Sequence, residues 1–248
     1  MIKKLSLQLL AGMLLVTVIC NAQQNELKVL FVGNSYTYQN NLAHIVALLS
    51  RGTPVKLDTR KSVTGGAYLW EHWNGDRNLQ TKEIIDTGHF DVVVLQDNSM
   101  SAINTPDSIL KYVKLFTEYN RAHGAQTYLF QTWARKKVPQ YQDEIDRVYT
   151  KAAKENGAVS VPVGPAWELA QQIRPSIELF DTDGSHPSSL GTLLTASLFV
   201  KILSGELPEV LPQSYIIEDA NGEIVRLMEA DPLDNEFCKR IAGEVLAE

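Results

Sequence analysis

Short apolar runs alternate along the chain with longer segments in which apolar residues recur every three or four positions. The clearest short runs are residues 27–32 and 91–95, which are rich in valine and leucine and predict buried strands. Three further runs, at residues 54–60, 126–132 and 158–163, predict strands as well. The pattern therefore predicts five strands with room for a helix between most of them.

The segments between these strands have the spacing of amphipathic helices. The predicted helices cover residues 40–49, 106–123, 138–156 and 189–203. Within the first, Leu42, Ile45 and Leu49 lie on one helical face. The second begins at Pro106 and is followed by Gly124, which is the usual order of these two residues at helix ends.

Alternating strands and helices predict the fold class. Strands separated by helices pair in parallel, with right-handed crossovers and helices on both faces, so we expect a three-layer α/β/α sandwich around a five-stranded parallel sheet. In such sheets ligands bind at the carboxyl ends of the strands, near the point where the strand order reverses. Functional residues are therefore expected directly after the strands.

Both ends of the chain differ from this pattern. Residues 1–22 combine Lys3 and Lys4, a short apolar run and small residues, which predicts a secretory signal peptide and an exported protein. A membrane anchor is disfavoured because the run is shorter than the roughly 20 residues of a span. Acylation of Cys20 as a lipoprotein is also disfavoured, because the preceding residue is bulky. We expect one domain over residues 23–248, with a cap from about residue 214 that includes a hairpin at Asn221-Gly222.

Composition narrows the function classes. The chain has 248 residues, 44% of them hydrophobic, and a net charge of -6, so it is globular and lacks the basic character of a nucleic-acid-binding protein. After removal of a signal peptide Cys238 would be the single cysteine, which excludes an internal disulfide. Cys238 is expected to be a small core residue. A nucleophilic role is disfavoured because no histidine lies near it in sequence.

The first strand ends at Gly33-Asn34-Ser35. A glycine there permits a tight turn, and Ser35 would begin the next helical segment with its hydroxyl exposed and backbone N–H groups close by. Ser35 could instead be an ordinary helix N-cap. A dinucleotide loop is disfavoured because the three-glycine fingerprint is missing, and a P-loop because its lysine is missing.

A second candidate is the loop that contains Asp183 and His186. A carboxylate three residues before a histidine can accept a hydrogen bond from Nδ1–H, which would fix the tautomer and raise the basicity of Nε2. The alternative is an ordinary loop histidine beside a turn-forming aspartate. A metal site of Asp181, Asp183 and His186 is a weak alternative, since no further Cys or His cluster accompanies it.

Two further loops hold candidate donors to a developing negative oxygen. Gln96 and Asn98 follow the strongest strand, and their amide side chains could supply N–H groups. Gly65 and Gly66 follow the second strand and could let a backbone N–H approach a ligand closely. The alternatives are a turn in which side chains bind their own backbone, and a flexible loop.

Taken in order, these segments resemble the SGNH (GDSL-type) hydrolase superfamily, which is named for a serine, a glycine, an asparagine and a histidine. Gly33-x-Ser35 matches its first block and Asp183-x-x-His186-Pro187 its last. The resemblance covers roughly residues 27–203 and implies a flavodoxin-like fold. It also implies a serine esterase in which Ser35 is the nucleophile, His186 the base and Asp183 the stabilising carboxylate, with no cofactor and no metal.

The resemblance also implies an oxyanion hole. Its donors would be the Ser35 N–H, the N–H of Gly65 or Gly66, and the side chain of Asn98. Two positions depart from the family pattern. Asn34 replaces the aspartate of the first block, where it would support the turn, and Gln96 replaces the glycine of the third block, where it could be a further oxyanion donor.

Aromatic residues near the predicted strand ends suggest a substrate class. Tyr36, Trp70 and Trp133 could contact a sugar ring or an acyl chain, although core packing is the alternative for each. We expect a carbohydrate O-acetyl esterase acting on a small-molecule or carbohydrate ester. The alternatives are a lipid or thioester hydrolase, and a non-catalytic carbohydrate-binding or adhesion protein.

Overall fold

The computed structural model describes residues 25–247 of the chain. The predicted signal peptide at residues 1–22 and the alternative acylation site at Cys20 lie outside the described residues. Within residues 25–247, none of the helices is both long enough and apolar enough to cross a membrane.

The described chain contains seven strands and ten α-helices, joined by loops and short 3₁₀ turns. The strands are β1 (Asn25–Gly33), β2 (Val55–Val63), β3 (Val92–Leu95), β4 (Gln126–Gln131), β5 (Val159–Pro162), β6 (Ser214–Glu218) and β7 (Ile224–Glu229). The helices are α1 (Ser35–Tyr38), α2 (Leu42–Ser50), α3 (Leu69–Asn74), α4 (Thr81–Gly88), α5 (Ser101–Asn104), α6 (Pro106–Ala122), α7 (Gln142–Asn156), α8 (Val163–Ile173), α9 (Ser189–Ser204) and α10 (Pro232–Val245).

The first five strands form one parallel sheet in the order β2-β1-β3-β4-β5. The predicted fold class is confirmed: this is a flavodoxin-like order with helices on both faces. The chain runs from β1 out to β2 and returns to β3 on the other side of β1. The strand order therefore reverses at β1 and β3, and a ligand site is expected beyond their carboxyl ends.

Two apolar cores lie on opposite faces of the sheet, and β1 contributes to both. Val29 and Phe31 point into the core that includes α2 and α9, whereas Leu30 and Val32 point into the core that includes α6 and α7. Successive side chains of a strand face opposite sides of the sheet, so a strand covered on both faces must be apolar throughout. This double burial explains the apolar run in the sequence.

Several elements differ from the predictions, among them β2 and α8. Strand β2 extends to Val63 because it pairs with β1 along its whole length, from Asn25 opposite Val55 to Gly33 opposite Val63. Helix α8 was not predicted, because Gly164 and the proline after it fall in the first turn, where the sequence pattern shows a break.

The C-terminal segment packs on the sheet domain through its own elements. Strands β6 and β7 form an antiparallel hairpin, with Gly222 at φ +81° in the turn, so the predicted hairpin is present. Helix α10 contacts α8 and α9. Its Cys238 is fully buried, as expected for a small core residue.

Candidate active site

Ser35 lies at the carboxyl end of β1, where a tight turn leads into α1. The side chain of Asn34 accepts a hydrogen bond from the Tyr36 N–H at 3.1 Å, so Asn34, and not Ser35, caps this helix. The other end of the Asn34 amide donates to the Ala67 and Asp97 carbonyls. The residue that replaces the family's aspartate therefore ties the serine turn to two neighbouring loops.

The expectation that Gln96 donates to an oxyanion is wrong. Gln96 is fully buried, and its Oε1 accepts from the Asn34 N–H and from the Thr37 hydroxyl, each at 2.9 Å. Its Nε2 donates to the Asp97 carbonyl. Gln96 packs so closely against Gly33 that a Cβ at residue 33 would lie 2.5 Å from Gln96 Oε1. The glutamine therefore supports the serine turn.

The structure brings Ser35, His186 and Asp183 into one hydrogen-bonded row. His186 Nε2 lies 2.8 Å from Ser35 Oγ, although 151 positions separate the two residues along the chain. His186 Nδ1 lies 2.5 Å from Asp183 Oδ2. Since a carboxylate only accepts, the ring proton is assigned to Nδ1, which leaves the Nε2 lone pair facing the serine hydroxyl.

The Asp183 carboxylate is held in its charged form. The hydrogen bond from His186, together with those from the backbone N–H groups of Ser185 and His186, lowers the pKa of Asp183 to about 2. The aspartate therefore stays ionised at any pH where the protein would normally act. An ionised carboxylate at Nδ1 stabilises the protonated imidazole ring.

Gly66 and Asn98 face Ser35 from the loops after β2 and β3. Gly66 has φ +68°, a backbone conformation that favours glycine, and it lines the same pocket as Ser35 and His186. Asn98 Nδ2 donates to the Gly66 carbonyl at 3.2 Å, which leaves its second N–H free for another acceptor. Gly65 does not line the pocket, and its carbonyl accepts from Arg77 at 3.0 Å.

Asp97 is a buried carboxyl beneath this loop. Its Oδ1 accepts from the backbone N–H of Asn98 at 2.7 Å and of Leu69 at 3.0 Å, whereas Oδ2 has no partner among the described residues. Burial raises the pKa of Asp97 to about 6. The side chain thus joins the start of α3 to the asparagine loop.

His72, for which the sequence indicates no role, contacts the serine turn. Nε2 donates to the Gly33 carbonyl at 2.9 Å, so Nδ1 accepts from the Thr81 hydroxyl at 2.7 Å. Thr81 in turn accepts from Ser62 at 2.8 Å. Burial lowers the pKa of His72 to about 4. Nothing in the sequence links His72 to these partners, because folding alone brings them together.

The three aromatic residues expected to bind substrate have different environments. Trp133 is 1% exposed and stacks between Tyr36 and Trp167, so the expectation that it contacts substrate is wrong. Tyr36 lines the pocket, but its hydroxyl hydrogen-bonds Ser185 Oγ at 2.7 Å and its ring packs on Trp133. Trp70 is half-buried on α3 and does not line the pocket. Of these three residues only Tyr36 lines the cavity, and its hydroxyl also contacts the histidine loop.

The pocket has a volume of about 260 Å³. It is lined by Asn34, Ser35, Tyr36, Gly66, Asn98, Ser99, Arg135, Ser185 and His186. Arg135 was not predicted as a site residue either, because a single arginine after a strand gives no pattern. Among residues 25–247, no group of three His, Cys, Asp or Glu side chains is placed to hold a metal ion, Asp181 with Asp183 and His186 included.

Fold and site together define a flavodoxin-like α/β protein with a serine, a histidine and an aspartate joined at the carboxyl edge of its sheet. No family model matches the sequence, and no curated protein matches it. Several solved structures, however, are similar to this chain. A candidate SGNH hydrolase from Slackia heliotrinireducens is 26% identical, with a TM-score of 0.62 over 72% of this chain and 100% of its own.

Two more distant structures share the fold. A DUF4886 family protein from Bacteroides uniformis is 18% identical, with a TM-score of 0.71 over 90% of this chain and 95% of its own. An acetyl xylan esterase from Geobacillus stearothermophilus is 15% identical, with a TM-score of 0.52 over 71% of this chain and 93% of its own. The chain belongs to the SGNH (GDSL-type) hydrolase superfamily, as its motifs predicted.

Proposed function

We propose that this hydrolase cleaves carboxylic esters, with Ser35 as nucleophile, His186 as general base and Asp183 as the carboxylate that stabilises the imidazolium. The observation that supports the proposal is the continuous row from Ser35 Oγ through both ring nitrogens of His186 to Asp183. A serine hydroxyl is a weak nucleophile by itself and needs a base within hydrogen-bond reach. His186 Nε2, at 2.8 Å, meets that requirement.

The reaction would proceed in two halves that use the same groups. Ser35 Oγ attacks the ester carbonyl while its proton moves to His186 Nε2, and the resulting tetrahedral intermediate collapses when Nε2 returns the proton to the leaving alcohol. Water then attacks the acyl-enzyme, giving its proton to Nε2, and the acid is released with restoration of the serine hydroxyl. Asp183 remains ionised throughout because its pKa is near 2.

The negative oxygen of the intermediate would be held by three donors. These are the N–H groups of Ser35 and Gly66 and the second Nδ2–H of Asn98, which all belong to residues that line the same pocket. Each such donor typically accounts for about 3 kcal/mol of barrier lowering. Gly66 is a better candidate than Gly65, because only Gly66 borders the cavity that contains Ser35.

The pocket favours a short acyl group on a polar alcohol. Its volume of about 260 Å³ accommodates an acetyl group with part of a leaving group, and most of its lining residues carry an amide, hydroxyl or charged group that could contact a polar alcohol. A long lipid chain would need a large apolar surface, which the lining residues do not provide. A carbohydrate O-acetyl ester fits this description, and an acetyl xylan esterase is among the proteins with this fold.

Labelling with a serine-directed phosphonate tests the proposal. We expect mass spectrometry to find a single labelled residue, Ser35, and we expect a Ser35→Ala variant to be unlabelled and to lose hydrolysis of 4-nitrophenyl acetate by about 10⁴-fold or more. Ser99→Ala, which removes a nearby hydroxyl of the same pocket, is the matched control and should still be labelled. A wild-type protein that binds glycans but is neither labelled nor active would overturn the proposal in favour of a binding protein.

A further inference from the structure

Arg135 places a positive charge in the wall of the catalytic pocket. It follows β4 and lines the cavity together with Ser35, Asn98 and His186. The backbone on both sides is fixed, since the Ala134 N–H donates to Gln142 at 2.7 Å and the Lys136 N–H donates to the Gly184 carbonyl at 2.9 Å. The backbone of Arg135 is therefore held in a fixed position between the loop of Asn98 and the loop of His186.

The guanidinium of Arg135 has unused hydrogen-bonding capacity. Of its five N–H donors, one on Nη2 bonds Ser99 Oγ at 2.7 Å, and Nε is buried without a partner among the described residues. None of the ion pairs formed within residues 25–247 includes Arg135, whereas Arg77 and Arg147 each pair with a carboxylate. A half-buried cation whose donors lack protein partners is costly, so this guanidinium is suited to bind an anion.

The surroundings of Arg135 make this charge unusual for the chain. The protein has a net charge of -6, yet none of the described residues that line the catalytic pocket is acidic. The Asp183 carboxylate is turned towards His186 Nδ1 and nearby backbone N–H groups. Asp97 is buried, and it bonds the backbone N–H groups of Leu69 and Asn98. The pocket thus presents positive charge next to the reacting serine.

We propose that Arg135 binds a carboxylate on the substrate, so that the preferred ester carries an acidic group close to the scissile bond. The inference rests on the proposed function, because it concerns the substrate of that same site. A guanidinium holds a carboxylate through two parallel hydrogen bonds, and this geometry gives both attraction and orientation. Two kinds of ester share this chemistry: a half-ester of a dicarboxylic acid, and an acetyl ester of a uronic acid.

Two matched pairs of substrates distinguish these two kinds of ester. Monomethyl succinate against methyl butyrate tests a carboxylate on the acyl side, and O-acetylated glucuronic acid against O-acetylated glucose tests one on the alcohol side. We expect the wild-type kcat/KM to be about tenfold or more higher for the anionic member of one pair. Release of methanol or acetate can be followed by NMR.

Variants of Arg135 show whether the arginine causes the preference. Arg135→Gln should reduce the ratio of anionic to neutral kcat/KM by about tenfold or more, and Arg135→Lys should retain part of it because the charge remains without the fork. Lys137→Gln removes an exposed charge two positions further on and should keep the full preference.

Binding gives a readout that does not depend on turnover. In the Ser35→Ala background, calorimetry should detect binding of glucuronate or succinate that weakens with added salt and is lost when Arg135→Gln is added. Neutral esters hydrolysed through Ser35 with no anionic preference, and no anion bound, would overturn this inference and leave the proposed function standing. Anion binding that requires Arg135, in a protein that hydrolyses no ester, would support the carboxylate site and overturn the ester hydrolase.

Discussion

Two histidines contact the turn between Gly33 and Ser35, and they have different roles. His72 is 1% exposed and donates to the Gly33 carbonyl. His186 lies in a loop, with 30% of its side chain exposed, and contacts Ser35 Oγ. In both cases the second ring nitrogen has a partner, so partner number does not distinguish the two residues.

The chemical nature of the second partner makes the difference. His72 Nδ1 faces the Thr81 hydroxyl, which is neutral and cannot stabilise a positive ring, and burial lowers the pKa of His72 to about 4. His186 Nδ1 faces the ionised carboxylate of Asp183. A ring beside a carboxylate can take up a proton during a reaction, whereas a buried ring between neutral groups is suited to hold structure. The predictions below test this division of roles.

The largest expected effect is on activity when His186 is replaced. His186→Gln should lower kcat/KM for 4-nitrophenyl acetate by about 10⁴-fold or more, because glutamine cannot act as the base for Ser35. Urea unfolding should show that the free energy of unfolding falls by about 1 kcal/mol or less, since the loop is partly exposed. His44→Gln, an exposed histidine on α2, is the control. A His186→Gln variant with a tenth of wild-type activity would contradict the assignment of the base.

Replacement of Asp183 should have the next largest effect. Asp183→Asn keeps an oxygen for the backbone N–H groups of Ser185 and His186 but removes the charge, so we expect kcat to fall by about 10²- to 10⁴-fold with little change in stability. Steady-state kinetics and a denaturation curve measure both. Asp181→Asn, an exposed carboxylate in the same loop, should change kcat less than about threefold. Equal losses in both variants would show that loop charge in general, and not the contact with His186, matters.

Replacement of His72 should affect stability more than chemistry. His72→Phe keeps a ring but leaves the Gly33 carbonyl and the Thr81 hydroxyl without their partner, so we expect a loss of about 2–4 kcal/mol in the free energy of unfolding at pH 7. The loss in kcat should be far smaller than for His186→Gln. Thr81→Val, which removes one of these hydrogen bonds, should cost about 1–2 kcal/mol. A stable but inactive His72→Phe variant would contradict the structural role assigned to His72.

The smallest expected net effect is on the pH dependence of stability, because two buried groups contribute with opposite signs. The pKa of His72 is about 4 in the folded chain and ordinarily near 6.5, so the unfolded chain binds more protons between these values and stability falls by up to about 3 kcal/mol as pH falls from 6.5 to 4. Burial raises the pKa of Asp97 to about 6, so its contribution has the opposite sign and stability is lost as pH rises from about 4 to 6.

These two contributions offset each other in the wild-type protein, and single variants should separate them. Between pH 4 and 6, the stability of Asp97→Asn should rise with pH because His72 still titrates, whereas that of His72→Phe should fall with pH because Asp97 still titrates. Urea midpoints measured at several pH values give both slopes. Parallel slopes in the two variants would show that neither buried group has the environment described here.

Part of the fold and site could be predicted because it depends on local patterns. The apolar run of β1, covered on both faces, and the helical spacing of α2 are visible in the sequence, and they led to the correct fold class. The motifs around Ser35 and His186 are also local, because each combines a turn with the residue it presents. Even the Asp183–His186 contact spans only three positions.

Other parts could not be predicted because they depend on long-range contacts. Gln96 was expected to be a donor in the pocket, but the close approach of Gly33 turns its amide towards the Asn34 N–H. Trp133 was expected at the substrate, but Trp167 on α8 stacks on it at 3.9 Å, and that helix had not been predicted. In both cases the partner lies more than 30 positions away.

By itself the sequence determined the alternation of strands and helices, the order of the motif residues and the type of group that each offers. Local propensity and periodicity settle these features, since they involve residues within a few positions of each other. Only the tertiary structure decided that Ser35 meets His186, that Gly66 and not Gly65 borders the pocket, and that Arg135 lines the same pocket. These features arise where loops from different strands converge at one edge of the sheet, and that convergence depends on packing throughout the domain.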